Sequence, residues 1–267
     1  MLKDITIGQY FPGDSIIHRL DASFKIIITL IFIVMLFAAD TFAGMLIGVT
    51  FMIISYLLTK IKPKIMTKSL KPVLPILVFT AVINVFFYDG DVIFSLGFIK
   101  ITDDGIKNAA FMLIRVVALI IGSSILTYTT SPIALTNAIE RLMSPLKKLK
   151  FPVHELAMMM TIALRFIPTL IEETDKIISA QKARGADFET GSLVERARAI
   201  IPILIPLFVS AFRRAEELAL AMECRCYNGG EGRTKLRQSV VKPHDYVALI
   251  ISFVFLAAVI ATNVILK

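Results

Sequence analysis

The stretch from residue 246 to residue 266, YVALIISFVFLAAVIATNVIL, contains no charged side chain. A helix needs about 20 consecutive apolar residues to cross the hydrocarbon core of a bilayer, so this stretch predicts a transmembrane helix. The chain as a whole is also apolar, since 56% of its residues are hydrophobic and only 19% are charged. This composition argues against a disordered chain, a secreted disulfide scaffold and an ordinary soluble enzyme. It indicates a polytopic membrane protein.

Four further apolar blocks lie in the first half of the chain, and the fourth contains one charge, Arg115. The first block is short, so we expect Phe24 and a snorkelling Lys25 to extend it. Asp40 separates the first two blocks and indicates a tight turn. We therefore predict an all-α protein with about five transmembrane helices, at residues 24–39, 41–60, 72–88, 108–130 and 246–267.

Lysines and arginines in short loops indicate the orientation, because they are enriched on the cytoplasmic side of a membrane. Residues 60–71, KIKPKIMTKSLK, hold five lysines and no acidic residue, which predicts a cytoplasmic loop. The turn at Asp40 and the loop 89–107 then face outward. The N-terminus and residue 131 are expected in the cytoplasm, and residue 267 outside.

Residues 131–245 differ from the flanking membrane parts, 1–130 and 246–267, because they hold 17 of the 29 basic and 13 of the 21 acidic residues. Their pattern predicts a cytoplasmic domain of long amphipathic helices. One helix is expected from about His154 to Arg184 and another from about Leu193 to Arg225, each roughly 45 Å long.

The uncharged stretch Ala199–Phe212 contains Pro202 and Pro206 and is short for a membrane crossing. We favour a buried or interfacial helix there, and a dip into the membrane stays open. Three consecutive methionines, Met158 to Met160, are expected in a core, although methionine clusters also form adaptable binding surfaces.

The two long helices end in similar sequences, QKARG at 181–185 and MECRC at 222–226. Each ending holds one arginine between two small residues. A cation suits the dipole at a helix C-terminus, so ordinary caps would explain either ending alone. Two such endings, 41 residues apart on consecutive helices, suggest a pair of docking tips formed by Ala183, Arg184, Gly185, Cys224, Arg225 and Cys226.

Charged pairs of opposite sign occur at equal distances from the two arginines. Glu172 and Glu173 lie 12 and 11 residues before Arg184, and Arg213 and Arg214 lie 12 and 11 residues before Arg225. If the helices cross at this depth, the charges can neutralise each other. The alternative, that both pairs are solvated, stays open.

Residues that would support catalysis do not form a recognisable pattern. The three histidines are far apart, and Cys224 and Cys226 lack further zinc ligands. The sequence has no GxxxxGK[ST] phosphate loop and no GxSxG elbow. We therefore expect no catalytic residue, metal or cofactor, no binding of nucleic acid, and a membrane scaffold that transmits force. Arg115 is a functional candidate, but its place near the outer end of its block favours snorkelling.

Three stretches resemble one family, the transmembrane T component of energy-coupling factor (ECF) transporters, a branch of the ABC importers. The first is YFPGDSIIHRLD at 10–21 with Lys25. The second runs from His154 to Gly185 and ends in the Ala-Arg-Gly motif, and the third runs from Ala215 to Tyr227. Cys226 stands where the family's second motif often has glycine.

The resemblance implies a subunit of a complex in a prokaryotic cell membrane. Two ABC-type ATPase subunits would each hold one arginine tip, Arg184 or Arg225, in an acidic groove. A membrane-embedded S component would bind the vitamin or metal ion, and the T component would transmit ATP-driven motion to it. This component would not itself be an enzyme, and the sequence does not identify the transported substrate.

Two alternatives belong to other classes of protein. A self-contained permease would line a solute pathway with its own helices, but the predicted spans offer few polar groups for such a lining. A membrane-bound enzyme of lipid metabolism could use the basic segment 131–245 to gather anionic headgroups, but an acid/base constellation is missing.

Overall fold

The computed structural model describes residues 10–87, 92–96, 99–186, 188, 192–229 and 240–265. These residues form two compact units. The bundle unit comprises the described residues of 8–138 and 238–267, and the long-helix unit comprises those of 139–237. Most of the described residues are helical, so the predicted all-α polytopic membrane fold is confirmed.

The bundle unit contains most of the helices. In chain order they are α1 (Ile16–Arg19), α2 (Ala22–Ala38), α3 (Phe42–Thr59), α4 (Pro63–Leu70), α5 (Leu74–Phe87), α6 (Asp103–Thr129) and, at the end of the chain, α10 (Pro243–Ile265). The boundary between the units falls within α7 (Pro132–Met143). In the long-helix unit a 3₁₀ turn (Ser144–Leu149) precedes α8 (Val153–Ala183) and α9 (Leu193–Glu223).

Several helices begin where a side-chain oxygen accepts one of the unpaired backbone N–H groups of the first turn. Asp21 caps α2, Thr41 caps α3 and Thr102 caps α6 in this way. Short polar residues therefore set helix starts within an otherwise apolar sequence.

The core of the bundle unit is built from α2, α3, α6 and α10. Leu36 is fully buried, and the ring of Phe51 lies 5.9 Å from the ring of Phe32 and 5.2 Å from that of Phe255. Gly122 lies directly against Phe32, where a Cβ atom would collide with the ring. The outward faces of these helices carry exposed apolar side chains, as expected of a protein surrounded by lipid.

Four of the described helices are long and apolar enough to cross a membrane, namely α3, α6, α8 and α10, and the bent pair α4–α5 adds a fifth candidate. The predicted number of spans agrees with this range, but the members differ. Helix α2 has 17 residues and falls below the length of the others. Helix α8, which the sequence assigned to a cytoplasmic domain, has the required length and composition because its first half is nearly uncharged.

Within residues 60–71, predicted as a loop, residues 63–70 instead form α4, which is bent by 59° from α5. Pro72 and Pro75 explain the bend, because proline lacks the N–H needed for the helical ladder and clashes with the preceding turn. The backbone bridges the break with a tight bond from Val73 N–H to Leu70 O at 3.0 Å. The lysine-rich segment is therefore an ordered helix.

The loop predicted at 89–107 also contains regular structure. A hairpin joins β1 (Val92–Leu96) to β2 (Ile99–Thr102), and α6 begins at Asp103, before the span predicted to start at residue 108. Thr102 supplies the cap that starts the helix early. Residues 88–91 and 97–98 of this loop lie outside the described residues.

A buried polar network joins the ends of several helices in the bundle unit. The Asp245 carboxylate accepts a hydrogen bond from Asp21 N–H at 2.8 Å. The Lys25 ammonium donates to Thr129 O at 2.8 Å and to His18 O at 3.3 Å. Lys25 is only 6% exposed, so the prediction that it snorkels into solvent is wrong. Backbone carbonyls that no sequence pattern reveals replace the water around its charge.

Arg115 also has a partner inside the bundle. Its Nη2 donates to Ala39 O at 2.8 Å, just beyond the C-terminus of α2, and its guanidinium lies 4.9 Å from the centroid of Phe111. A cation at a helix C-terminus is favourable, and the aromatic face adds to its stabilisation. Arg115 therefore tethers α6 to the end of α2, and the snorkelling interpretation favoured from the sequence stays a prediction.

Candidate functional site

The candidate site lies on the two long helices, α8 and α9, which have 31 residues each. Their bounds match the expected helices to within two residues, and each is roughly 46 Å long at 1.5 Å per residue. Helix α9 begins with a capping box, in which Ser192 Oγ accepts from Glu195 N–H and the Glu195 carboxylate accepts from Ser192 N–H at 2.8 Å. That backbone N–H holds the pKa of Glu195 below its usual value. The start of α9 is therefore firmly defined.

One ion pair connects the middle parts of the two helices. Arg214 Nη2 lies 2.9 Å from Glu173 Oε2, and the two side chains are 36% and 24% exposed. Among the described residues, no ion pair joins Glu172 to Arg213. Of the four residues expected at a crossing, the structure therefore brings Glu173 and Arg214 together and leaves the other two without such a contact.

A second contact follows from the two prolines of α9. In a regular helix, the carbonyl of Pro202 would accept from the N–H of residue 206, but that residue is also a proline. Instead, Gln181 Nε2 of α8 donates to Pro202 O over a long distance of 3.5 Å. Glu173 therefore contacts Arg214, and Gln181, later in α8, contacts Pro202, earlier in α9. The helices are antiparallel over this segment.

The C-terminal end of α8 is closed by a Schellman motif, in which a left-handed residue folds the backbone over the last turn. Gly185 has φ of 86°, and its N–H donates to Lys182 O at 3.0 Å. Ala186 N–H donates to Gln181 O at 3.0 Å. Arg184 is the last residue before the left-handed position, and its side chain is exposed at the tip.

The end of α9 repeats this geometry with a different residue at the critical position. Cys226 has φ of 54°, and its N–H donates to Glu223 O at 2.8 Å. Tyr227 N–H donates to Met222 O at 3.1 Å. Arg225 therefore occupies the same place as Arg184. Cys226 adopts the left-handed conformation that costs other residues more than glycine.

The two tips are also equivalent in their distance from the ion pair. Arg184 lies 11 residues beyond Glu173, and Arg225 lies 11 residues beyond Arg214, which is about 16 Å along each helix. Both arginines are exposed, and neither forms an ion pair with any residue that the structure describes. Cys224 and Cys226 are exposed free thiols. Each tip can thus offer a complete guanidinium fork to a carboxylate of another molecule.

Large apolar side chains are exposed along the middle of α9 and the first half of α8. Met159 and Met160 are 54% and 45% exposed, so the expectation that the methionines lie in a core is wrong. The stretch Ala199–Phe212, for which we favoured burial or a membrane interface, is largely exposed within this chain. Its exposed members are Ile200, Ile201, Leu204, Ile205, Phe208, Val209 and Phe212. Such a surface fits lipid or an apolar partner.

The sequence missed one contact near the start of α8. Nδ1 of His154 lies 3.0 Å from Oε1 of Glu140, which belongs to the end of α7 and is 8% exposed. The two residues are separated by the 3₁₀ turn, which brings the end of α7 back to α8. No periodicity in the sequence indicates this reversal, and only the Pro145 that opens the turn marks it.

Comparisons with known proteins identify the class. A family model described as "Cobalt transport protein" matches residues 13–236. A relative from Ruminiclostridium cellulolyticum, an "Energy-coupling factor transporter transmembrane protein EcfT", is 55% identical over 97% of each chain. Relatives of the same name from Clostridium kluyveri and Bacillus subtilis are 51% and 47% identical, over 99% and 97% of this chain and 98% of their own.

These matches define a membrane component of a transporter. The chain belongs to the EcfT family of energy-coupling factor transporter transmembrane proteins. The resemblance inferred from the sequence is therefore confirmed.

Proposed function

We propose that this chain is the coupling subunit of an ECF-type ABC importer. It transmits the ATP-driven motion of two ATPase subunits to a membrane-embedded S component that binds a vitamin or a metal ion. The observation that carries this proposal is the equivalence of the Arg184 and Arg225 tips, which share one backbone motif and one distance from the Glu173–Arg214 ion pair. Two equivalent tips suit two similar partners.

The chemistry of each tip favours an acidic groove on an ATPase. The guanidinium of arginine stays charged at all physiological pH values and can form two parallel hydrogen bonds with a carboxylate. Gly185 has no side chain that would keep a partner away from the end of α8. The small side chains of Ala183, Cys224 and Cys226 allow the same close approach.

The long helices are suited to carry motion away from the tips. Neither helix contains a proline between its member of the ion pair and its tip, a length of about 16 Å, so displacement of a tip can be carried to the Glu173–Arg214 contact. The exposed apolar stretch Ala199–Phe212 offers the S component a surface within or beside the membrane. Contact between the two helices at Glu173 and Arg214 links the movements of the tips.

A self-contained permease fits the bundle unit less well. The groove beside α2 is lined mainly by apolar residues such as Ile28, Phe32, Phe51 and Met52. The charged member of this lining, Lys25, already donates to backbone carbonyls. A polar solute would therefore leave its hydration shell without replacement hydrogen bonds.

Orientation in the membrane completes the proposal. The chain spans the prokaryotic cell membrane several times with its N-terminus in the cytoplasm. The ATPase-binding tips face the cytoplasm as well, where ATP is available. The support is the cluster of five lysines at 60–71, all of which are exposed.

Co-expression with two ATPase subunits and an S component tests the proposal. Truncating one partner of a buried charge pair costs about 2–5 kcal/mol, or roughly 30-fold to several thousand-fold in affinity. Arg184→Ala or Arg225→Ala should therefore loosen one ATPase contact and reduce uptake. The double variant should lose both ATPases while still inserting in the membrane, and lysine replacements should restore binding in part.

Arg198→Ala is the matched control, because Arg198 is an exposed arginine of α9 far from its tip. This variant should copurify with both ATPases in normal amounts. Stoichiometric ATPase and normal uptake in the double Arg184→Ala, Arg225→Ala variant would show that these arginines are ordinary helix caps, and the coupling assignment would be wrong.

A further inference from the structure

Helix α4 (Pro63–Leu70) is anchored to the bundle unit by one face. Met66 is 4% exposed and packs in a cluster with Ile125 and Tyr128 of α6. On the same side of the helix, Ser69 Oγ forms a hydrogen bond with the hydroxyl of Tyr128. These contacts fix the rotation of α4 about its own axis.

The opposite face of α4 carries a row of lysines. Lys64, Lys68 and Lys71 are spaced by four and three residues, so they lie one above the other on a helix surface. All three are exposed, and the row is about 10 Å long. Lys60 and Lys62, at the entrance to the helix, are exposed as well. The sequence has no acidic residue between Asp40 and Asp89 that could neutralise them.

Because of the bend between the two helices, α4 does not continue the line of α5. Helix α5 has 14 residues, or about 21 Å, whereas the hydrocarbon core of a bilayer is about 30 Å thick. Inclined by 59°, the eight residues of α4 add about 6 Å along the axis of α5, so α4 covers most of the remaining depth and carries its lysines to the level of the lipid headgroups. Because the apolar face of α4 packs on α6, its lysine-rich face is turned outward from the protein at that level.

We propose that Lys64, Lys68 and Lys71 form a binding surface for the headgroups of anionic phospholipids such as phosphatidylglycerol and cardiolipin. Charge complementarity supports this occupant, since three ammonium groups without acidic neighbours face outward from a helix beside a membrane span. Each lysine near an anionic membrane surface increases association by a factor of about five, so three together contribute roughly a hundredfold at most. The surface would hold α4 against the bilayer.

A single tryptophan can report which lipid lies beside α4, because the natural chain contains none. The substitution Thr67→Trp puts an indole at an exposed position between Lys64 and Lys68. The full chain is reconstituted in bilayers that contain brominated phosphatidylglycerol or brominated phosphatidylcholine, and quenching of the indole is measured. We expect an apparent association constant at least tenfold higher for phosphatidylglycerol.

Removing the three charges should abolish this preference. In the Thr67→Trp background, Lys64→Gln, Lys68→Gln and Lys71→Gln together should bring the two lipids to within about twofold of each other. Raising the salt concentration from 0.1 M to 1 M should weaken the preference, because the screening length falls from about 10 Å to about 3 Å. Soluble glycerol phosphate at millimolar concentration should not displace the lipid.

The matched control removes three charges elsewhere. Lys147, Lys148 and Lys150 are exposed lysines of the 3₁₀ turn and its end. Their triple replacement by glutamine should leave quenching at position 67 unchanged. Equal quenching by both lipids in the unsubstituted lysine background, or equal loss in the control, would overturn the proposal. Displacement by glycerol phosphate would overturn it in favour of a site for soluble anions.

Discussion

Glu173 and Arg214 pair across α8 and α9 at the same distance, 11 residues, from the arginine at the end of each helix. Their carboxylate and guanidinium atoms lie 2.9 Å apart, and the side chains remain 24% and 36% exposed. A partly exposed pair of this kind contributes little to stability, about 0–1 kcal/mol. Its position makes it more important for the angle between the helices than for the stability of either helix.

Reversing both charges of this pair should restore the assembly and the thermal stability that reversing one charge removes. Glu173→Lys or Arg214→Glu alone puts like charges about 3 Å apart, which should weaken assembly with the ATPases and lower the melting temperature. The double reversal should recover most of the loss. The measurement is a double-mutant cycle on the melting temperature and on ATPase copurification.

The pair Glu172 and Arg213 supplies the control, because the same charge changes there meet no described ion pair. Glu172→Lys and Arg213→Glu should act independently, with a coupling close to zero. Additive damage in the Glu173→Lys, Arg214→Glu double variant would argue against direct pairing.

Cys226→Gly should stabilise the tip of α9. Cys226 has φ of 54°, and this conformation costs a residue with a Cβ atom about 1–2 kcal/mol. Glycine avoids that cost but gains freedom in the unfolded chain, so we expect a net stabilisation of about 0.5–1 kcal/mol. Thermal unfolding in detergent measures the change.

Two other substitutions at the helix tips should lower the thermal stability. Cys224→Gly, in the last right-handed turn, should destabilise the helix by a few tenths of a kcal/mol to about 1 kcal/mol. Gly185→Ala forces a Cβ atom into a φ of 86° and should destabilise the end of α8 by about 1 kcal/mol or more. A melting temperature that falls with Cys226→Gly would mean that the thiol makes a contact that outweighs the backbone strain.

The sequence predicted the long elements well and the bends poorly. The starts and ends of α8 and α9 follow from Ser192, Gly185 and the charge pattern, and the structure places them within two residues of expectation. The break at Pro72 was hidden because a cluster of lysines before proline is equally typical of a loop. Hydrophobic periodicity identifies each helix separately, and it does not indicate the angle between consecutive helices.

The sequence also did not reveal the partners of Lys25 and Arg115, and the reason is similar. Lys25 and Arg115 both looked like snorkelling side chains, since each lies near the end of an apolar block. Their partners are backbone carbonyls of Thr129, His18 and Ala39, which every residue has and no sequence motif marks. For the same reason, only the three-dimensional contacts single out Glu173 and Arg214 from the two charge pairs.

Asp245→Ala should destabilise the bundle unit markedly. This carboxylate is 1% exposed and accepts from Asp21 N–H at 2.8 Å and from Lys242 N–H at 2.7 Å. Leaving a buried donor without a partner costs about 1–3 kcal/mol, so we expect a loss of about 2–4 kcal/mol. Asn should lose less, because its amide keeps one acceptor oxygen.

The control for Asp245 is Asp103→Ala. Asp103 pairs with Lys107 in an exposed contact within one helix, so its removal should cost no more than about 0.5 kcal/mol. Thermal unfolding in detergent compares the two. Similar melting temperatures for Asp245→Ala and Asp103→Ala would show that the buried network is not a stabilising element.

Arg115→Met should separate a structural role from a transport role. The substitution removes the hydrogen bond to Ala39 O and the contact with Phe111, and we expect a loss of about 1–2 kcal/mol in thermal stability. Assembly and uptake at a temperature well below unfolding should be unchanged. Lost uptake in a variant that is as stable as the natural chain would instead give Arg115 a direct part in transport.

The orientation of the chain can be measured with single cysteines, after Cys224 and Cys226 are replaced by serine. We expect Asp40→Cys, in the turn between α2 and α3, and Asp104→Cys, at the start of α6, to react with a membrane-impermeant maleimide in intact cells. Lys64→Cys should react only after the membrane is permeabilised, since its lysine-rich helix is expected on the cytoplasmic side. All three positions are exposed or nearly so in the structure, so failure to label reports on the membrane and not on burial within the protein. Labelling of Lys64→Cys in intact cells, with protection of Asp40→Cys and Asp104→Cys, would invert the topology and place the ATPase-binding tips on the wrong side of the membrane.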